Sequence, residues 1–483
     1  MPPFDPNSGF SSRTKIFHSL RPPISLPPST TPCSLSDYVF SILSPSSTTS
    51  LIDAATRRCI PLSHLPHLVQ TLASNLRRKF HLAKNDVAFV LPPNSIHTPI
   101  LYLSLLSLGV IVSPSNPLSS NSEISRQIHV SNPAIAFATS ENASRLPALR
   151  KGTVLLDSPE FESLLLTCNS ESRDEFVPVV VFLDDTAAIL YSSGTTGRVK
   201  GVELTHRNFI AAVAGVQAAR AVRSSPMVTL CVVPFFHVYG FLLCLREVAL
   251  GGSVVVVSER NLESILGAIE VLKVTHLAVA PPSVVAMVKS ASVEKYDLRS
   301  LEAVLCGGAP LAISVIEGFK RRFSKILLLQ AYGLTETTAG ITRSIGLNES
   351  QVTGASGRLL SNCEAKIVDP VTGDSLPPLK PGEIWIRGPM VMKGYVGDKE
   401  ATAAMIDSEG WLRTGDICYF DSKGFLFCVD RMKELIKCKG YQVAPAELED
   451  LLLSHPAIVD AAVIPNALAG ILMRMQAKYL WPL

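Results

Sequence analysis

The stretch "YSSGTTGRVKGVELTH", Tyr191 to His206, decides how the rest of the chain is read. Directly behind the apolar run "AAIL", it packs two serines, two threonines, three glycines and a lysine into the eleven residues from Ser192 to Val202. Small hydroxylated residues and glycines leave backbone N–H groups uncovered, and Lys200 adds a mobile positive charge, which is what a phosphate-holding loop requires. The same composition serves ordinary turns and linkers. Context separates the two. "TAAILYSS" reads as a buried strand and "THRNFIAAVAGVQAA" as a helix capped by Thr205, so strand, glycine loop and helix are expected in that order. The spacing of Gly194, Gly197, Lys200 and Gly201 is not that of a Walker loop, which sets the P-loop kinases and ATPases aside.

A length of 483 residues predicts about three units, or one large α/β domain with an appendage. The 47% hydrophobic content supports an extensive core. A net charge of +3 without any Lys/Arg block argues against nucleic acid. Ten cysteines without CxxC pairs offer neither a zinc site nor a disulfide framework, and they fit a reducing compartment. The opening "MPPFDPNSGF" lacks the basic-then-apolar order of a signal peptide. "PILYLSLLSLGVIVS", broken by serines, predicts a buried helix followed by a strand and not a membrane span.

Pro/Ser-rich sequence to about Pro32 reads as an extended arm laid on the surface, residues 1–34. From Leu35 onward, helical patterns alternate with short β-branched strands such as "DVAFVLPPN", "AIAFATS", "GGSVVVVS" and "THLAVAPPSVV", the pattern of doubly wound parallel sheets. Ligands bind such sheets at the carboxyl ends of strands. Those ends carry His237 and Tyr239 in "VVPFFHVYGF", Gly307, Gly308, Ala309 and Pro310 in "AVLCGGAPL", and Gln330, Tyr332, Thr335 and Glu336 in "LLLQAYGLTETT". One histidine after a strand is more often structural than catalytic, but three polar, glycine-bearing ends together point to a site. Beyond Pro381 the pattern turns to short antiparallel strands around "GWLRTGD". Arg431, Lys433, Lys437 and Lys439 in "DRMKELIKCKG" serve equally well as the solvated face of a hairpin.

Taken in order, these segments resemble the adenylate-forming enzymes, above all the plant 4-coumarate:CoA ligases and 4-coumarate:CoA ligase-like proteins, from roughly Leu35 to Pro465. "SSGTTGRVKGV" and "GEIWIRG" are similar to the group's two signature boxes, "AYGLTE" to its adenine-site motif, and "GWLRTGD" and "DRMKELIKCKG" to its ribose and hinge motifs. The resemblance implies a large α/β domain, residues 35–432, of doubly wound, mostly parallel sheets plus a distorted β-barrel. A small α+β domain, residues 433–483, would follow. It implies ATP, Mg²⁺ and CoA, and a reaction running from carboxylate to acyl-AMP to thioester. Ser192, Ser193, Gly194, Thr195, Thr196 and Lys200 would hold the ATP β,γ-phosphates. Gln330, Ala331, Tyr332, Gly333 and Thr335 would lie against the adenine and α-phosphate, with Glu336 placing the metal. Asp416 would accept the ribose hydroxyls, supported by Arg431, and Lys433 would be the hinge. Arg260, Lys439 and Gly440 match CoA-contacting positions, and Lys437 and Gln442 match residues that meet the acyl-adenylate. The acyl pocket would be lined by His237, Val238, Tyr239, Phe241, Gly307 to Pro310 and Ala331, for a hydroxycinnamate-like or a fatty or oxylipin acid.

The resemblance stops at "HPAIVDAAVIP". The family's Pro-Asp-Glu-x-Ala-Gly run and terminal glycine-lysine motif have no counterpart in "NALAGILMRMQAKYLWPL", so the small domain is expected to be incomplete, with an aberrant tail over residues 466–483. Writing Ile471 to Pro482 in permitted codons and shifting by two nucleotides yields "PDEDAGKIPMA", which points to a shifted reading frame. A cytoplasmic monomer is expected, peroxisomal for full-length relatives, since no S-K-L-type ending is present. Two alternatives stay open at this point. One is a non-catalytic isoform that binds nucleotide or acyl-adenylate, and the other is an oxygenase of the beetle-luciferase kind.

Overall fold

The structure, a computed structural model, describes residues 4–44, 48–167, 178–192, 199–220, 223, 225–438, 441–455, 458–466 and 470–477. Buried runs of β-branched residues build its two larger sheets. In the nine-stranded sheet the strands Leu327–Leu334, Ala303–Cys306, His276–Val279, Val228–Cys231, Ser253–Val256 and Ser50–Asp53 lie side by side in that order, all parallel. Three of these six, Ser253–Val256, His276–Val279 and Ala303–Cys306, are buried at every position, as expected when helices cover both faces. The seven-stranded sheet has a parallel core of Thr186–Ser192, Ile111–Pro114, Val87–Leu91, Ile135–Ala138 and Thr153–Leu155. The helix Thr98–Ser107 is apolar on all sides and buried over Thr98 to Leu106, so it is a core helix, as the sequence predicts. No described helix is long and apolar enough to cross a membrane.

The cavity described below and its surroundings are built mainly from nine elements. They are β1 (Thr186–Ser192), β2 (Lys200–Thr205), α1 (His206–Ala219), α2 (Val238–Ala249), β3 (Ala303–Cys306), β4 (Leu327–Leu334), β5 (Ala339–Arg343), β6 (Leu412–Phe420) and β7 (Leu426–Arg431). Two features of the sequence reading are corrected here. The glycine loop does not lead into a helix. It joins antiparallel β1 and β2, which pair Ser192 with Lys200 and Thr186 with Thr205. "KGVELT" buries Val202 and Leu204 in alternation, so it forms a strand, and at roughly 3.4 Å per residue it carries the α1 N-terminus about 20 Å from the loop. The capping expectation holds, because Thr205 Oγ1 accepts from the Asn208 N–H and Asn208 reciprocates at the Thr205 N–H.

The second correction concerns residues 1–34. Phe10–Ser11 and Ile16–His18 form a hairpin on the edge of the six-stranded antiparallel sheet, His18 pairing with Glu364. Phe17 is buried there and stacks on Phe420 with centroids 4.5 Å apart. The segment is part of the fold because its aromatic side chains find partners more than 300 residues away. That six-stranded sheet, which continues through Glu364–Val368, Gly382–Arg387, β6 and β7, stands where a distorted barrel was expected. Its outer strands, Phe10–Ser11 and β7, do not pair with each other.

At the carboxyl end the backbone forms hairpins of Ile436–Cys438 with Tyr441–Val443 and of Ile458–Asn466 with Gly470–Ala477, flanking the helix Pro445–Leu453. The tail residues 470–477 therefore take up regular pairing. Lys289 Nζ donates to the carbonyls of Leu453, His455 and Ile458, and Ser314 N–H donates to Asp450 at 3.1 Å, fastening the segment to the nine-stranded sheet's helices.

His206, at the first position of α1, is fully buried, and its Nδ1 accepts from the Leu35 N–H at 2.9 Å while Nε2 has no partner among the described residues. Burial lowers its pKa to about 4 from the usual 6.5. The unfolded chain therefore takes up a proton below pH 6.5 that the folded chain refuses. Stability is full above pH 6.5 and falls as pH drops toward 4, by about 3 kcal/mol at the limit. His206→Asn, which keeps an acceptor near the Nδ1 position, should flatten this dependence. Urea midpoints at pH 5 and pH 7 measure it, and equal pH sensitivity in both proteins would contradict the assignment.

Candidate functional site

The carboxyl ends of the nine-stranded sheet, the β1–β2 hairpin and the β6–β7 edge enclose a cavity of about 940 Å³. One part of it is polar. Glu336 follows β4 and is buried, and its Oε1 accepts from Ser192 Oγ at 2.8 Å and from Tyr395 OH at 2.9 Å. Oε2 has no hydrogen-bond partner among the described residues, and the Glu336 carboxylate lines the cavity. Lys200 Nζ lies 4.5 Å from the centroid of the Tyr395 ring. Asp416, on β6 and directly across from Arg431 on β7, accepts from Tyr332 OH at 2.7 Å and meets Arg431 Nε at 3.5 Å. Burial raises the Asp416 pKa above the ordinary carboxylate range, against the pull of Tyr332 and Arg431. Lys433 lines the same region.

The strand β4 delivers Gln330, Ala331, Tyr332, Gly333 and then Thr335 along one wall. Its register against β5 shifts between Tyr332 and Gly333, and a Cβ on Gly333 would fall 1.5 Å from the Ala339 carbonyl oxygen, so glycine is what permits this approach. Gly307 and Gly308 lie at the end of β3.

The other part is apolar and runs along α2. Tyr239, Leu242, Leu243 and Arg246 recur at helical spacing and line it with Ala212 and Val216 of α1. His237 caps α2, its Nδ1 accepting from the Tyr239 N–H at 3.3 Å, which in the neutral ring leaves the proton on Nε2. Desolvation holds the His237 pKa below the usual imidazole value. Tyr239 OH donates to the Leu305 carbonyl at 3.0 Å.

Several expected residues lie elsewhere. Phe241 is buried in the core against Tyr102 and Phe209, at centroid distances of 4.7 and 5.1 Å, because two residues along a helix from Tyr239 turns it to the opposite face. Ala309 and Pro310 are exposed and do not line the cavity. Gly308 at φ 91° turns the chain outward before them. Arg260 is exposed between Ser253–Val256 and the helix Leu262–Leu272 and is not among the lining residues. Ser193, Gly194, Thr195, Thr196, Lys439 and Gly440 lie outside the described residues, and of Lys437 and Gln442 only the backbone is described.

The sequence reading missed Tyr395, Arg246 and Arg343, all of which line the cavity. Arg246 carried a signal, since it is a charge seven residues beyond Tyr239 at the end of the otherwise apolar "YGFLLCLR". Among the described residues no three His, Cys, Asp or Glu side chains cluster as a metal site. A magnesium ion is compatible with this, because it is commonly bound by one or two carboxylates together with substrate phosphates.

Residues 55–396 match the family described as AMP-binding enzyme. The chain is 49% identical over 478 residues to "4-coumarate--CoA ligase-like 9" of Arabidopsis thaliana, covering 95% of this chain and 85% of that one. It is 43% identical over 470 residues to "Peroxisomal OPC-8:0-CoA ligase 1" of the same plant, with coverage of 95% and 85%. Among solved structures it is similar to the O-succinylbenzoate coenzyme A synthetase of Bacillus subtilis in complex with ATP and magnesium ion, with a TM-score of 0.76 at 25% identity, covering 92% and 89% of the two chains.

Proposed function

The chain belongs to the AMP-binding enzyme family, and on that premise we propose that it is an ATP-dependent acid:CoA ligase. The observation that carries this reading is the single cavity joining an ionic region, with Glu336, Asp416, Arg431 and Lys433, to an apolar channel along α2. A carboxylate oxygen attacks the α-phosphorus of ATP, the bond to the β-phosphate oxygen breaks, and acyl-AMP and pyrophosphate form. The CoA sulfur then attacks the acyl carbon and expels AMP. Adenylation supplies the leaving group that a carboxylate lacks, so no protein nucleophile is required and the protein's work is charge neutralisation and positioning.

In this reading the loop from Ser192 to Thr196 and Lys200 meets the β,γ-phosphates, while Gln330 to Gly333 and Thr335 meet the adenine and α-phosphate. Magnesium, held by Glu336 and phosphate oxygens, would neutralise charge on the phosphates. Lys433 is the hinge between a large portion, residues 35–432, and a small one, residues 433–483, in which Lys437, Lys439, Gly440 and Gln442 face acyl-adenylate and CoA. The acid is hydroxycinnamate-like or a fatty or oxylipin acid, and the likeness to an OPC-8:0-CoA ligase supports the second class. Purified protein given ATP, CoA and a panel of such acids should form thioester, AMP and pyrophosphate in equal amounts. Binding of ATP and acid without pyrophosphate exchange would favour a non-catalytic binding protein instead.

Asp416 offers a direct check on the ribose assignment. After Tyr332 and Arg431 are served, its carboxylate retains lone pairs for two hydroxyls. Asp416→Ala should weaken ATP binding by roughly 10- to 100-fold, the worth of charge-assisted hydrogen bonds. Calorimetric titration reads this directly, and an unchanged ATP affinity would remove Asp416 from the nucleotide site.

A further inference from the structure

The far part of the acyl channel holds more cation than its carboxylates neutralise. Arg246 Nε and Nη2 donate to Glu247 Oε1 at 3.0 and 2.7 Å, and Glu247 Oε2 accepts from Thr229 Oγ1 at 3.1 Å, so the Glu247 carboxylate is already committed. Arg343 lines the cavity beside this pair. Among the described residues its guanidinium makes no hydrogen bond and no ion pair within 4 Å, although Arg21 at its backbone is matched by Glu349. Burial lowers the Arg343 pKa to about 10 and holds the neighbouring His276 below the usual imidazole value, so at neutral pH the first is charged and the second is not. Three guanidinium groups, Arg21, Arg246 and Arg343, thus stand against two carboxylates, Glu247 and Glu349.

A desolvated cation without a partner is costly and is retained where something arrives to pair with it. Position indicates what arrives. The backbone of Arg343 stands directly across the β4–β5 ladder from Ala331, and its charge interacts with Tyr239, Arg246 and Glu247 on α2. Tyr239 and Arg246 are separated by seven residues of helix, about 10 Å along its axis. An acid lying along α2 with its reacting carboxylate toward Glu336 therefore passes its distal portion between leucines and ends among guanidinium groups.

We propose that Arg343 reads a second oxygen on the acid, so that the substrate is a carboxylic acid whose far portion bears a carboxylate or a carbonyl oxygen and not a plain hydrocarbon chain. This rests on the acid:CoA ligase reading and makes Arg343 a specificity-determining residue within it. A structural arginine would instead be held by a protein acceptor, as Arg246 is by Glu247 Oε1.

The test is calorimetric binding of decanoate, 9-oxodecanoate and decanedioate to the whole protein, with pyrophosphate exchange measured alongside. At least one oxygenated acid should bind about 10- to 100-fold more tightly than decanoate. Preference for decanedioate identifies a carboxylate as the natural group, and preference for 9-oxodecanoate identifies a carbonyl. Arg343→Met should abolish the preference without weakening decanoate. Arg343→Gln, which keeps donors but no charge, is the second variant should the first not fold. It should retain the ketone and lose any advantage of the dianion. Decanoate binding as tightly as both oxygenated acids, no binding of any of the three, or a preference that survives both substitutions overturns the proposal. Equal binding with active exchange overturns it and leaves the ligase reading intact. Selective binding without exchange defeats the ligase reading and leaves the role of Arg343 standing.

Discussion

Lys200→Ala should slow ATP–pyrophosphate exchange by roughly 100- to 1,000-fold while leaving ATP affinity within about threefold. The asymmetry follows from when the charge matters. Negative charge builds on the β-phosphate oxygen as the bond to the α-phosphorus breaks, so a cation placed there stabilises the transition state more than bound ATP. Lys200 is held for this by pairing with Ser192 at the neck of the glycine loop. Its present contact with the Tyr395 ring does not compete seriously. A cation–π contact is worth about 0.5–2 kcal/mol, against about 3–4 kcal/mol for a positioned charge or donor acting on a developing anion. Lys200→Arg, which keeps the charge on a broader group, should recover part of the rate. If ATP affinity and exchange rate fall by the same factor in Lys200→Ala, the lysine only binds ATP and its role in the departure of pyrophosphate is wrong.

What could be read in advance follows how local the determining interactions are. The parallel strands were legible because burial on both faces leaves its mark within four or five residues, as in "SVVV" at Ser253–Val256. Their carboxyl ends then located Tyr332, Gly307 and Glu336, since a doubly wound sheet fixes where a site lies. The strand β2 was lost because six residues of alternation beside a glycine loop are easily absorbed into a loop–helix reading. Phe241 was misplaced although the signal was present, because two positions along a helix rotate a side chain by about 200°, so Tyr239 and Phe241 cannot face the same cavity. The N-terminal hairpin and Arg343 were invisible for a different reason. Phe17 stacks on Phe420, and Arg343 sits across from Ala331, through pairings that exist only once the sheets have formed. A charged residue in "GITRSIG" looks like any surface arginine until the register places it at a cavity wall.

Glu336→Gln is the other substitution expected to have a large effect, and it isolates charge from shape. Glutamine keeps a carbonyl oxygen where Oε1 now accepts from Ser192 and Tyr395, so both hydrogen bonds that fix the side chain can persist and the thermal midpoint should barely move. What disappears is the negative charge on the oxygen that has no partner among the described residues. If Glu336 only ties β1 to the strand Gly394–Tyr395, the amide should serve nearly as well as the carboxylate. If it helps to hold magnesium against the phosphates, the exchange rate should fall by roughly 100- to 1,000-fold, as for loss of a single positioned electrostatic contact. The magnesium concentration for half-maximal rate should rise with it, because a hard cation loses a carboxylate and gains at best a neutral carbonyl. A titration of exchange rate against magnesium at fixed ATP separates the two roles. A variant with an unchanged thermal midpoint, an unchanged magnesium requirement and a rate within about threefold of the parent would return Glu336 to a structural role, leaving the site to neutralise its phosphates through Lys200 and the glycine loop alone.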